Sequence, residues 1–351
     1  MTIDTSNSID ETKTGKDLYA YQKGAISKIF TAFDDAPEDY HLLYQLPTGG
    51  GKTVIFSEIV RQYLKNHNKR VLIMTHRIEL LTQTSKMLTE FGVINKVVNS
   101  TANLDDQDQY SCFVAMVETL NNRLQDEKFD ISDIGLVIID EAHYNSFTKL
   151  FGYFDKSFIL GVTATPLSSN IKLPMNDNYN ELIVGETIEA LIENEFLSSA
   201  NTFSYNVGLT SLEIGANGDY TVKSSEDLYT TNDMLSKLMH AYEEHSKGKK
   251  TLIFNNGINT SLHVYDAFNY AGYPVMHLDN TATKKQRQEI LEWFHETPDA
   301  ILTSVSILTT GFDEPTVESI ILNRATKSLT LYYQMIGRGS RILKNKTTFD
   351  V

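Results

Sequence analysis

Two short stretches of this 351-residue chain carry side chains whose types and spacing suit phosphate chemistry. The first is Leu46-Pro47-Thr48-Gly49-Gly50-Gly51-Lys52-Thr53, a glycine run between an apolar stretch and an amphipathic one. Glycines let backbone N–H groups curl around an anion, and the helix that follows adds partial positive charge at its N-terminus. Lys52 can reach terminal phosphates, and the Thr53 hydroxyl can ligate magnesium. Leu46 stands where the strict form of this pattern has glycine. The second stretch is Leu136-Val137-Ile138-Ile139-Asp140-Glu141-Ala142-His143. Here Asp140 would hold the metal with Thr53, and Glu141 would orient and activate an attacking water.

Such groups need a scaffold that fixes them, and the hydrophobic pattern supplies one. Short continuous apolar runs alternate with helical periodicity along the whole chain, the pattern of parallel sheets covered by helices. In the first half the runs are His41–Leu46, Val71–Met74, Lys96–Val98, Cys112–Ala115, Leu136–Ile139 and Phe158–Leu160. In the second half they are Thr251–Phe254, Val275–Leu278, Ala300–Thr303 and Ile320–Leu322. Val54–Leu64, Glu79–Phe91, Leu235–His245, Ser261–Ala271 and Lys284–Phe294 read as amphipathic helices. The rhythm is weakest between Leu167 and Asn232, which sets the expected domain junction near residue 200.

Composition narrows the class. Lys and Arg number 31 against 45 Asp and Glu, a net charge of −14, which is the wrong sign for coating nucleic acid by bulk electrostatics. The region from Ser319 to Val351 differs, with Arg324, Lys327, Arg338, Arg341, Lys344 and Lys346 against Asp350 alone, so an anionic ligand at one site is compatible with the charge. The single cysteine, Cys112, excludes an internal disulfide framework. No apolar run approaches the roughly 18 residues of a membrane span, so the expectation is a cytoplasmic protein without a membrane partner. His240 and His245 read as solvated groups on a polar helix, and Trp293 as a core residue.

In combination these residues resemble a known family. Asp140-Glu141-Ala142-His143, Thr163-Ala164-Thr165 and Gln334-Met335-Ile336-Gly337-Arg338-Gly339-Ser340-Arg341 look like motifs of the DEAD/DEAH-box helicases of superfamily two. The glycine run followed by Leu308-Thr309-Thr310-Gly311-Phe312-Asp313-Glu314-Pro315 is most similar to the RadD-like and type III restriction-subunit branch. The resemblance implies an α/β fold of two tandem RecA-like domains, each a mainly parallel sheet flanked by helices. The expected limits are a disordered polar tail over 1–17, an ATP-binding domain over 18–199, and a linker with the second domain over 200–351. The chain is expected to be cut short at Val351.

The resemblance also implies ATP and Mg2+ as ligands in a cleft and nucleic acid across both domains, with DNA favoured over RNA. By matching position, Gln22, Thr48, Gly49, Gly50, Gly51, Lys52, Thr53, Gly311 and Asp313 would contact nucleotide. Lys52, Asp140, Glu141, Gln334, Arg338 and Arg341 would serve catalysis, and Thr53 and Asp140 the metal. Arg77, Thr119, His143, Thr163, Thr165 and Thr303 would contact nucleic acid or couple it to hydrolysis. Tyr19 and Ser306 depart from the family pattern, which more often has arginine and aspartate there. Arg338 and Arg341 would share one face, turned into the cleft, if Leu331 to Arg341 is helical. The activity implied is a nucleic-acid-stimulated ATPase working as helicase or translocase. An ATP-switched clamp, or a motor subunit with a protein partner in repair or restriction, fits the same residues.

Overall fold

The structure is a computed structural model that describes all residues except 1–8, 10–15, 38, 169–172, 217 and 310. Most of the expected polar tail, and Thr310, therefore lie outside the described residues. The chain divides into two compact units, Met1–Thr187 and Ile188–Val351.

The first unit holds a seven-stranded parallel sheet built from β1 (His41–Gln45), β2 (Arg70–Thr75), β3 (Lys96–Val98), β4 (Cys112–Met116), β5 (Ile134–Asp140), β6 (Phe158–Thr163) and β7 (Glu181–Val184), in the order β3-β4-β2-β5-β6-β1-β7. Every residue of β2 and β5 is buried, which is why these strands read as unbroken apolar runs. Helices α1 (Ala20–Asp34), α2 (Lys52–Asn66), α3 (Ile78–Glu90) and α4 (Val117–Gln125) alternate with the strands. On α2 the residues Ile55, Phe56, Ile59 and Val60 are wholly buried, each worth roughly 1.5–3 kcal/mol by area.

The second unit repeats the plan. Its strands are β8 (Ser199–Asn201), β9 (Thr251–Asn255), β10 (Val275–Leu278), β11 (Ile301–Ser304), β12 (Ser319–Asn323) and β13 (Thr348–Asp350), all parallel, in the order β10-β11-β9-β12-β13-β8. Its helices are α5 (Ile188–Glu193), α6 (Val222–Tyr229), α7 (Asn232–Ala241), α8 (Ile258–Tyr270), α9 (Lys284–Glu296) and α10 (Leu329–Ile336).

Three details differ from the sequence reading. The division falls between Thr187 and Ile188 rather than near residue 200, because Ser199–Asn201 pairs with Thr348–Asp350 and so belongs to the second sheet. The periodic stretch Leu235–His245 is α-helical only to Ala241 and continues as a π-turn over Tyr242–Ser246. There His245 stacks on Phe203 at 3.7 Å and bonds the Tyr205 hydroxyl at 3.0 Å, so it is not a solvated group. Trp293 packs against the second core as expected.

One glycine fixes how the end of the chain joins the second sheet. A Cβ on Gly339 would sit 2.2 Å from the Phe349 ring of β13. Phe349 is a buried core residue, so the ring has nowhere to go. Gly339→Ala is expected to lower stability by about 1–3 kcal/mol through overpacking. Urea melts of the variant, and of the variant combined with Phe349→Leu, check this; a smaller loss in the double variant is the expected result.

Candidate functional site

Parallel pairing brings the ends of β1, β2, β5 and β6 to one edge of the first sheet, with Gln45 opposite Thr163, Asp140 opposite Val162, and Met74 opposite Ile139. Ligand sites of open parallel sheets form at this edge. The loop Leu46–Gly51 leaves β1 and enters α2, whose first residue is Lys52. Gly49 and Gly51 have φ of 90° and 87°, values that an L side chain rarely adopts. A Cβ on Gly51 would lie 2.6 Å from Gln22 Nε2, and one on Gly50 would lie 2.8 Å from Leu46 Cγ. The run is thus glycine for two reasons, backbone conformation and close approach.

This loop is braced on both sides. The Leu46 amide donates to the Thr163 carbonyl at 3.0 Å, and Gln45 Nε2 donates to the Ala164 carbonyl at 3.2 Å. From α1, the Tyr21 hydroxyl donates to the Gly50 carbonyl at 2.7 Å. Burial pushes that phenol up to about 12. Gln22 Oε1 accepts from the Tyr19 amide at 3.0 Å, closing the start of α1 while its amide lies against Gly51. Gln22 thus stands beside Gly51, at the end of the glycine run that leads into Lys52 and Thr53; the brace through Tyr21 was not read from the sequence.

Lys52 is buried and its ammonium donates to the Leu46 carbonyl at 3.3 Å. Asp140 and Glu141, also buried, follow at the end of β5. Burial, with Glu141 beside it, pushes the Asp140 carboxyl well above the usual carboxylate range, and Lys52 acts in the opposite direction. A buried carboxylate in that condition has chemistry for a cation. Glu141 has φ of 56°, an unusual value for a residue with a side chain, and such outliers persist where surrounding structure holds them. Here the next amide, Ala142 N–H, donates to the Val162 carbonyl at 2.9 Å. His143 Nδ1 lies 3.4 Å from Glu141 Oε2 and 3.0 Å from Thr163 Oγ1, and burial keeps the imidazole below its usual range. Thr163 in turn accepts from the Thr165 amide at 3.2 Å and donates to its carbonyl at 3.0 Å. Glu141, His143, Thr163 and Thr165 therefore form one connected group.

At the end of β2, His76 and Arg77 lead into α3, with Arg77 at its N-cap. Thr119 lies half-buried on α4. The His76 ring sits 4.0 Å from Tyr144, whose ring sits 4.3 Å from His143. No local sequence pattern marks this three-ring contact, because His76 follows β2 whereas His143 and Tyr144 follow β5.

The second unit corrects several readings. Thr303 is buried and bonds Asn255 Nδ2 at 2.7 Å and Ser261 Oγ at 2.9 Å, in a network that extends to Asn323 and His277. It ties β9, β11 and α8 together rather than facing a polymer. Helix α10 ends at Ile336, so Arg338 and Arg341 do not share a helical face. Arg338 is buried and donates to the carbonyls of Phe312 and Thr309, which fixes the loop around Gly311. Arg341 is only partly buried, with Nε donating to Asp313 Oδ1 at 3.0 Å. Asp313 thus holds an arginine, and Gly311 carries φ of 73° in the same loop. Gln334 is buried on α10 with its Nε2 lacking a hydrogen-bond partner among the described residues. Among those residues, no cluster of three or more His, Cys, Asp or Glu side chains could by itself hold a metal.

Burial and the charge of Arg77 hold the His76 imidazole down at about 4. An unfolded imidazole takes its proton near 6.5, so between those values the unfolded chain binds more protons and stability falls as pH drops. The contribution is fully present above about 6.5 and is lost through about 4. Against His76→Phe, which keeps a ring that cannot titrate, the wild type is expected to lose on the order of 2 kcal/mol over that window. Urea melts from pH 7 to 4 measure it, and parallel curves for the two proteins would contradict the assignment.

Residues 15–168 match the family described as type III restriction enzyme, res subunit, and residues 231–343 match the helicase conserved C-terminal domain. A 51.5 kDa protein of Lactococcus phage (isolate 7-9) is 29% identical over 314 residues, 88% of this chain and 64% of that one. A Saccharomyces cerevisiae protein named as an ATP-dependent helicase, IRC3, is 29% identical over 350 residues, 94% of this chain and 50% of that one. This chain therefore spans about half to two thirds of the length of these relatives. Among solved structures, the ATP-dependent Type ISP restriction-modification enzyme LlaBIII bound to DNA superposes with a TM-score of 0.70 at 18% identity, covering 98% of this chain and 28% of that one. That likeness establishes the fold, two tandem RecA-like domains. The two family matches fall in chain order, one in each unit, and make this chain similar to superfamily two helicases of the restriction-enzyme Res-subunit branch.

Proposed function

We propose that this chain hydrolyses ATP in response to nucleic acid, DNA rather than RNA, and uses the cycle to translocate on it or unwind it. The observation that carries the reading is the single sheet edge where the Gly49–Thr53 cradle, Asp140, Glu141 and the Thr163–Thr165 turn meet. In this reading the loop amides and Lys52 bind the phosphates, and Thr53 with Asp140 holds Mg2+, whose charge would neutralise the phosphates. Glu141 takes the proton of the attacking water, and His143, whose Nδ1 lies 3.4 Å from Glu141 Oε2, lies against it from one side. Thr163 joins that group to the strand that also anchors Leu46. DNA is favoured because the LlaBIII structure is named as bound to DNA, and the same likeness supports a role as the motor part of a restriction assembly.

Steady-state ATPase rates without polymer and with single-stranded DNA, duplex DNA, forked DNA and RNA test the reading in one series. The expected result is stimulation by a DNA; equal rates in all conditions would contradict it. A strand-displacement assay then separates unwinding from an ATP-switched clamp. Lys52→Ala is expected to abolish hydrolysis and weaken nucleotide binding. Glu141→Gln is expected to bind ATP and DNA while turning over at least about a hundredfold more slowly. For the arginines the outcomes should diverge. Arg338→Ala strips two loop carbonyls of their donor and should cost about 2–3 kcal/mol of stability. Arg341→Ala breaks a partly exposed pair with Asp313 and a bond to the Gly337 carbonyl, together worth about 1–2 kcal/mol, so it should melt only slightly below the wild type while losing stimulated turnover. Full turnover in Arg341→Ala would remove it from the mechanism.

A further inference from the structure

The sheet edge that carries the glycine loop and Asp140 has a second line of contact. From the end of β2 to the end of β5 runs a file of three rings, His76, Tyr144 and His143, with centroids 4.0 Å and 4.3 Å apart and both tilts at 37°. At one end His76 adjoins Arg77, the N-cap of α3. At the other, His143 touches Glu141 and Thr163. Both ring nitrogens of His76 are buried and lack a hydrogen-bond partner among the described residues. A buried polar ring without partners is costly, and an apolar ring would fill the same space without that cost. What the imidazole adds is the capacity to gain a hydrogen bond when its surroundings shift.

We propose that Tyr144 is a positioning residue that transmits the binding of a polymer phosphate at Thr75–Arg77, through His76, to His143 and thereby to Glu141. The inference rests on the proposed nucleic-acid-stimulated hydrolysis and gives it a physical route within one domain. A phosphate bound beside Arg77 moves the start of α3 and with it His76. Tyr144, in contact with both imidazoles, cannot keep its place when one of them turns, because packed side chains have few alternative arrangements. His143 then shifts against Glu141, whose backbone is held in an outlying conformation and whose carboxylate must be aimed at the water.

The test uses the full chain with a single-stranded or duplex DNA found to stimulate it. Tyr144→Leu removes the ring and keeps the bulk; Tyr144→Phe keeps the ring. The expected result for Tyr144→Leu is an unchanged unstimulated rate, KM for ATP and half-saturating DNA concentration within about twofold, and a stimulated kcat reduced about tenfold or more. Tyr144→Phe is expected to restore the stimulated kcat. Adding His76→Leu to Tyr144→Leu is expected to lower it no further, since one broken contact already interrupts the file. Stimulation of Tyr144→Leu equal to that of the wild type, or additive losses in the double variant, would overturn the relay and leave the proposed function standing. A wild type that no polymer stimulates would overturn the proposed function and the relay with it. Thermal melts of each variant confirm that a lost rate does not come from a lost fold.

Discussion

Parallel strand pairing in the first sheet is the constraint from which the site follows. When neighbouring strands run the same way, their carboxyl ends and the loops after them share one edge, and residues far apart in sequence become neighbours there. Gln45 opposite Thr163, and Asp140 opposite Val162, set which backbone groups can meet. The Leu46 amide therefore falls on the Thr163 carbonyl, and the glycine loop is tied to the turn that holds His143. A one-residue slip in this register would exchange the side chains that β5 presents to the two covered faces of the sheet and shift Asp140 along its edge, so the hydrophobic core and the site depend on the same pairing.

Charge in this edge is arranged at a cost to the protein alone. Asp140 and Glu141 are adjacent, buried carboxyl groups, and burial with mutual repulsion drives Asp140 upward. Lys52 offsets part of this repulsion. Glycine at 49 and 51 and the outlying φ of Glu141 add backbone constraint at the same place. Such local conflict is tolerated where the surrounding sheet over-determines the geometry, as the buried β5 and β6 do here.

Much of this was legible in the chain of amino acids, for physical reasons. Buried parallel strands are continuous apolar runs, so Val71–Met74, Leu136–Ile139 and Thr251–Phe254 announce themselves, and the glycine run and its acidic partner carry their chemistry in their residue types. Strands β7 and β8 did not show. Glu181–Val184 lies at the sheet edge with mostly exposed side chains, and Ser199–Asn201 is short and polar. The fates of Thr303, Arg338 and Arg341 were not legible either, because whether a hydroxyl or a guanidinium faces outward or bonds a neighbouring strand depends on tertiary packing. The His76–Tyr144–His143 contact is of the same kind: no local pattern encodes it.

The central claim is that the edge after β1 and β5 is a Mg-nucleotide site. A crystal structure of the chain grown with Mg2+ and a non-hydrolysable ATP analogue tests it most directly. The account predicts terminal phosphates within hydrogen-bond distance of the Gly49–Thr53 amides, with the Lys52 ammonium turned from the Leu46 carbonyl to the phosphates and the cation between Thr53 and Asp140. A nucleotide bound elsewhere, or Lys52 still on Leu46 with the analogue present, would contradict it.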